Sequence, residues 1–185
     1  AQDLEPISEE KSIEHVSLFV YKDETNMKKV ALFVDIQNIY YTTREVHRAH
    51  FDYSAFWAAA TADREVVKAI GYAIDRGNPK QMGFQQILRD IGFEIKLKPF
   101  IRRRDGSAKG DWDVGITVDL LEYAPEVDVV VLASGDGDFD LAVEKIRKQH
   151  KVAVEVYGVP GLTAASLIEA ADRYVPIEGK FLLKT

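Results

Sequence analysis

The chain has 185 residues, of which 46% are hydrophobic, 29% charged and 10% aromatic, with no cysteine and a formal net charge of −6. That length suits one domain with its own core, and the missing cysteine excludes a disulfide framework, a thiol nucleophile, a Cys-type zinc site and an iron–sulfur cluster. No apolar run approaches the ~18 residues of a membrane helix, and the opening AQDLEPISEEK lacks the basic-then-apolar layout of a secretory signal. The expectation is a cytoplasmic protein without membrane contact.

Residues 1–26 hold seven acids against Lys11 and Lys22. They form an acidic N-terminal arm. Within it Ser12–Tyr21 has period-two apolar positions at Val16, Leu18 and Val20, which read as an added edge strand or a partner-docking arm. Residues 27–185 form the domain proper. Strand and helix patterns alternate there, which predicts an α/β architecture with a mainly parallel sheet. Val30–Asp35 is a short apolar run ending in a carboxylate and reads as the first core strand. Helices follow over Asn38–Arg48 and Asp52–Ala62, the second capped by Asp52 or Ser54. Arg64–Ile74 reads as a strand, with a helix as the competing assignment. Pro79–Gly92 opens on proline and closes on glycine, as a helix does. Phe93–Pro99 alternates like a half-exposed edge strand. Asp111–Tyr123 reads as a buried helix, Val127–Ala133 as a fully buried strand and Asp138–His150 as an amphipathic helix with a basic end. A strand over Lys151–Tyr157, a helix over Thr163–Ala171 and a strand over Tyr174–Ile177 complete the pattern.

Charge is segregated inside the domain. Residues 96–109 carry six Lys/Arg against Asp105, whereas residues 111–140 carry nine Asp/Glu and no Lys or Arg. The segregation reads either as a polyanion held against a metal site or as two solvated faces.

Open parallel sheets place ligands at strand carboxyl ends. Asp35 ends the first strand, and Asp136 and Asp138 follow the most apolar one in SGDGDFD. The helix over 111–123 adds Asp111, Asp113 and Asp119. Carboxylates converging at one sheet edge repel unless a cation neutralises them. Oxygen-only ligation selects a hard ion, Mg²⁺ or Mn²⁺, which activates water and stabilises a leaving oxygen in phosphodiester hydrolysis. Gly135 and Gly137 suit a tight turn whose N–H groups approach phosphate. Structural roles compete: Asp138 as a helix cap, Asp111 as a first-turn acid, Asp119 as a buried carboxylate with a partner. Asp140 reads as surface. Leu141 and Arg147 stand where a calcium loop needs glycine and a twelfth-position acid, no P-loop is present, and His47 and His50 read as surface residues of one helix.

FVDIQN at 33–38, KGDWDVGITVD at 109–119 and VLASGDGDF at 131–139 resemble motifs of the NYN domain family in its LabA-like branch, relatives of the PIN-domain nucleases. The resemblance covers residues 28–178. It implies a PIN-like three-layer α/β/α sandwich with a mainly parallel central sheet, and an aspartate-held Mg²⁺ or Mn²⁺ that serves RNA cleavage. It assigns Asp35 to the first-strand aspartate, Asn38 to the asparagine after it, and Asp113 to the acid at the K-G-x-D-V helix start. Asp136 and Asp138 match the S-G-D-x-D pair, and Asp119 the second acid of the helix. Lys109 and Ser134 match flanking positions that touch phosphate or hold the turn. Two departures stand out. Ile36-Gln37 replaces smaller residues, and Asp111-Trp112-Asp113 has one residue more than the commoner K-G-V-D, so either acid is open as the ligand.

The leading expectation is a metal-dependent endoribonuclease acting on single-stranded RNA. Asp35, Asp113, Asp136 and Asp138 hold the ion, and Asp119 orders water or a second ion. Lys96, Lys98, Arg102, Arg103, Arg104 and Lys109 hold the RNA backbone, and Trp112 either stacks on a base or anchors the core. The alternative keeps the fold without catalysis, as an RNA-binding or regulatory protein working through a homodimer or a protein partner. A phosphotransferase of haloacid-dehalogenase type is disfavoured, because its D-x-D-x-T belongs on the first strand and Asp140 stands where threonine is needed.

Overall fold

The computed structural model describes residues 27–105 and 108–183. The acidic arm, and the strand expected within it at 12–21, lie outside the described residues. The apolar run KKVALFVD forms β1 (Lys28–Asp35), buried from Val30 onward. Asp35 caps α1 (Ile36–His47) by accepting from the Asn38 N–H. After β2 (His50–Phe51), Asp52 accepts from the Ala55 N–H and caps α2 (Tyr53–Thr61), which leads into β3 (Arg64–Asp75). Asn78 and Pro79 start α3 (Pro79–Ile91), and Gly92 ends it at φ 137°, a conformation that favours glycine. Next come β4 (Glu94–Pro99), β5 (Ile101–Arg102) and β6 (Ala108–Lys109). The second half runs α4 (Asp113–Tyr123), β7 (Val129–Ala133), α5 (Asp140–His150), β8 (Ala153–Gly158), α6 (Ala165–Ala170), β9 (Arg173–Pro176) and β10 (Leu182–Leu183).

Six strands form one sheet in the order β4-β3-β1-β7-β8-β9, every neighbour pair parallel. One core lies between the sheet and α1–α3, around Leu32, Ile39, Phe56 and Leu88. The other lies between the sheet and α4–α6, around Phe33, Ile116, Phe139 and Leu167. The architecture is the expected PIN-like α/β/α sandwich. Burial on both faces explains why β1 and β7 read as continuous apolar runs. The chain builds outward from β1 through β3 to β4, then restarts at β7 and builds the other way. The order reverses between β1 and β7, and at such a reversal the crevice beyond the carboxyl ends is open to ligands.

The structure also departs from the sequence reading. The helix expected from Asp111 starts at Asp113. Gly137–Phe139 is a single 3₁₀ turn, so α5 starts at Asp140, which is half-buried rather than at the surface. His47 and His50 do not share a helix: Arg48 turns left-handed at φ 51° and His50 enters β2. At the amino end of the sheet the Arg64 guanidinium makes a two-bond ion pair with Glu155, at 2.8 and 3.0 Å, and also donates to the Ala60 carbonyl.

Candidate active site

Three carboxylates from three elements meet at the reversal. Asp35 ends β1, Asp136 follows β7, and Asp113 opens α4, and each offers an oxygen within 4.8 Å of the others. Register sets the first two. Val34 pairs with Ala133, so the residues that follow, Asp35 and Ser134, are level across adjacent strands. The Ser134 hydroxyl donates to Asp35 Oδ2 at 3.2 Å and accepts from the Asp136 N–H at 3.2 Å. Asn38 holds the same floor: its N–H donates to Asp35 Oδ1, and its side-chain oxygen accepts from the Gly135 N–H at 2.9 Å. Gly135 is required by close approach, since a Cβ there would stand 2.4 Å from the Leu162 carbonyl oxygen. Its N–H is taken by Asn38, which corrects the expectation of a turn presenting that group to phosphate.

The triad is electrostatically uncomfortable without a cation. Burial pushes the Asp35 carboxyl from 3.8 to about 6, opposed by the hydrogen bonds from Asn38 and Ser134 and reinforced by Asp136 and Asp111. Burial, the charges of Asp136, Asp111 and Asp35, and a hydrogen bond shared with Asp136 raise Asp113 to about 7. Groups that resist ionising together become stable anions when a positive ion sits among them. An all-oxygen donor set of this kind fits a hard divalent ion.

Asp113 is delivered by a braced loop. The Trp112 indole N–H donates to the Ala73 carbonyl at 2.8 Å, and its ring leans on Tyr72 at 5.3 Å. Lys98 Nζ stands 4.4 Å from the Trp112 ring centroid and donates to the Asp111 carbonyl. Gly115 leaves room for the indole, which a Cβ would meet at 2.6 Å. Trp112 is therefore an anchor of the α4 start. Beneath it, Asp119 accepts from the Tyr72 hydroxyl at 2.7 Å and from Lys96 Nζ at 2.8 Å.

A model of the NYN domain matches residues 29–178. The chain belongs to the NYN domain family. NYN domains are part of a PIN-like nuclease superfamily, so the triad occupies a nuclease-type scaffold. A relative from Synechococcus elongatus, "Low amplitude and bright protein LabA", is 28% identical over 167 residues, 85% of this chain and 89% of that protein. A crystal structure of a protein of unknown function from Vibrio parahaemolyticus superposes with a TM-score of 0.81 at 57% identity, covering 85% of this chain and 97% of the other.

Of the four acids assigned to the metal, this NYN domain brings Asp35, Asp113 and Asp136 together. Asp138 stays apart: the residue is exposed, and its backbone N–H donates to Asp136 Oδ1 at 2.9 Å. Asp111 is also exposed and accepts from the Asp113 N–H at 3.2 Å, shaping the loop from outside the triad. Asp119 is partnered by Tyr72 and Lys96 rather than by the other acids. Lys96 and Lys98, expected to hold phosphate, are engaged with Asp119 and with the Trp112 loop. Asn38 and Ser134 hold the floor of the triad. Arg102, Arg103 and Arg104 are exposed just past the edge strand, and Lys109 lies on β6 opposite Ile101. The sequence pointed to a partner for the buried Asp119 but not to its identity, Tyr72 and Lys96; the further local signal is a tyrosine inside the apolar run of β3.

No helix among the described residues is long and apolar enough to cross a membrane.

Proposed function

We propose that the chain is a metal-dependent endoribonuclease that hydrolyses phosphodiester bonds in single-stranded RNA, with Mg²⁺ or Mn²⁺ held by Asp35, Asp113 and Asp136. The observation that carries this reading is the convergence of the three carboxylates at the sheet reversal of an NYN fold. When bound, the ion supplies Lewis-acid stabilisation of phosphate charge and acidifies water. The chain's own residues do the rest. Ser134 and Asn38 fix the Asp35 carboxylate, and the Trp112 anchor fixes Asp113. Asp119 acts as a positioning residue, holding Tyr72 and Lys96 against α4, and Asp138 stays outside the ligand set. Arg102, Arg103 and Arg104 meet the RNA backbone by charge, which fixes position without reading sequence.

The test is incubation of purified protein with end-labelled single-stranded RNA in Mn²⁺, Mg²⁺ or EDTA, alongside Asp113→Asn. Internal cleavage that EDTA and the substitution both abolish is the expected result. RNA binding without cleavage under any metal condition would instead identify a non-catalytic, regulatory NYN protein.

A further inference from the structure

We propose that Tyr41, Arg76 and Phe100 form a base-stacking platform for single-stranded RNA at the rim of the sheet, beside the triad. This rests on the reading of the chain as an RNA-directed nuclease and adds where the bases go. Tyr41 is 48% exposed and Phe100 41% exposed, and neither ring packs into either core. The exposed Arg76 joins them: its guanidinium donates to the Tyr41 hydroxyl at 3.3 Å and lies 5.3 Å from the Phe100 ring centroid. Tyr40 extends the row, its ring edge-on to Tyr41 at 5.4 Å.

The fold fixes this row next to the carboxylates. Asp35 is level with Tyr72 on β3, and β3 continues to Asp75, paired with Pro99 of β4. At ~3.3 Å per residue the overhang rises about 10 Å above Asp35. Arg76 and Phe100 follow directly at its top. Both are held by their backbones, Arg76 N–H donating to Gln81 Oε1 at 2.8 Å and Phe100 N–H to the Asp75 carbonyl at 3.2 Å. Tyr41 comes from α1, whose first turn is tied to Asp35 through Asn38.

Chemistry selects the occupant. Two aromatic rings and a planar guanidinium stack on nucleobases of any identity. The neighbouring Arg102, Arg103 and Arg104 are exposed cations that match the phosphates of the same strand. Bases within a duplex are already stacked on one another, so the platform takes single strands.

The experiment measures anisotropy of labelled oligouridylate, and of an equally long abasic ribose-phosphate chain, in EDTA so that nothing is cleaved. It compares the wild type with Tyr41→Leu/Phe100→Leu and, separately, Arg76→Gln, all at exposed positions, with folding verified by circular dichroism. The double variant is expected to bind oligouridylate at least about tenfold more weakly and the abasic chain as the wild type does. Unchanged affinity for both, or an equal loss on both, overturns the platform while leaving the nuclease reading intact if the wild type still cleaves RNA with metal. A wild-type dimer that the double variant dissociates assigns the face to protein association and also overturns it. A wild type that neither binds nor cleaves RNA overturns both readings.

Discussion

Replacing Asp35 by asparagine should stabilise the metal-free protein at neutral pH. In the folded state the carboxyl is raised from 3.8 to about 6, so between those values the folded protein retains a proton that the unfolded chain has released. Below pH ~4 both states are protonated and the aspartate carries no penalty. As pH rises through about 6 the folded state must ionise a buried group, and the full penalty is present above it. At ~1.4 kcal/mol per pH unit, the difference between 3.8 and about 6 amounts to about 3 kcal/mol. An asparagine still accepts from the Asn38 N–H, and the Ser134 hydroxyl can rotate to accept from its amide, so most of that penalty is recovered. Urea unfolding followed by tryptophan fluorescence in EDTA reads it directly. The variant is expected to match the wild type only near pH 3, to exceed it by about 1 kcal/mol at pH 4.5 and by ~2–3 kcal/mol at pH 7.5, the last a gain of ~4–12 °C in Tm for a domain of this size. With Mn²⁺ or Mg²⁺ the order should reverse, because only the wild type gains binding energy. A difference between the two proteins that does not vary with pH refutes the burial argument.

Mn²⁺ or Mg²⁺ at a hundredfold excess over Kd should stabilise the wild type by ~2.7 kcal/mol; in thermal melts Asp136→Asn should start at least as stable and gain nothing, and an equal gain removes Asp136 from the site. Lys96→Met leaves the Asp119 charge to the Tyr72 hydroxyl alone. It should cost about 2 kcal/mol in urea unfolding, less than the ~3–5 kcal/mol of a fully buried pair because the Lys96 side chain is 34% exposed; a cost below ~0.5 kcal/mol shows the pair to be ornamental. Changing Arg102, Arg103 and Arg104 together to alanine should flatten the salt dependence of RNA affinity by ~1–2 units of logarithmic slope, and an unchanged slope takes these arginines off the RNA path.

What could be read from the sequence follows from which interactions are local. β1 and β7 announce themselves because burial on both faces writes one unbroken apolar run. The carboxylates that end or follow those strands, Asp35 and Asp136, could then be placed at the carboxyl edge by topology alone. The choice between Asp111 and Asp113 could not. It depends on Trp112, whose bond to Ala73 and contact with Lys98 connect segments 39 and 14 residues apart and delay the helix start by one half-turn. Asp136 and Asp138 look equivalent in SGDGDFD, and the 3₁₀ turn separates them because the Asp136 carboxylate caps it, accepting from the Asp138 N–H. The lysines of β4 advertise charge, but nothing local reports that Asp119 of α4 lies within reach of Lys96 and pairs with it. Tyr41 on α1, Arg76 just after β3 and Phe100 just after β4 are similarly dispersed along the chain, and only the fold brings the guanidinium to both rings.

The ion pair between Arg64 and Glu155 bears on how the triad is kept in register over time. In the sheet order, β1 and β7 lie between β3 and β8, and the guanidinium reaches from one outer strand to the other. The inner two strands are thus strapped from both flanks, and they cannot part without stranding a mostly buried charge. An opening that separates β1 from β7 along their whole length, and with them Asp35 from Asp136, carries that cost. Amide hydrogens of Phe33 and Leu132 should therefore exchange only when the whole domain unfolds, with protection equal to the global stability. Arg64→Leu should release them to a cheaper, partial opening, in which the two halves of the sheet move as separate cooperative units.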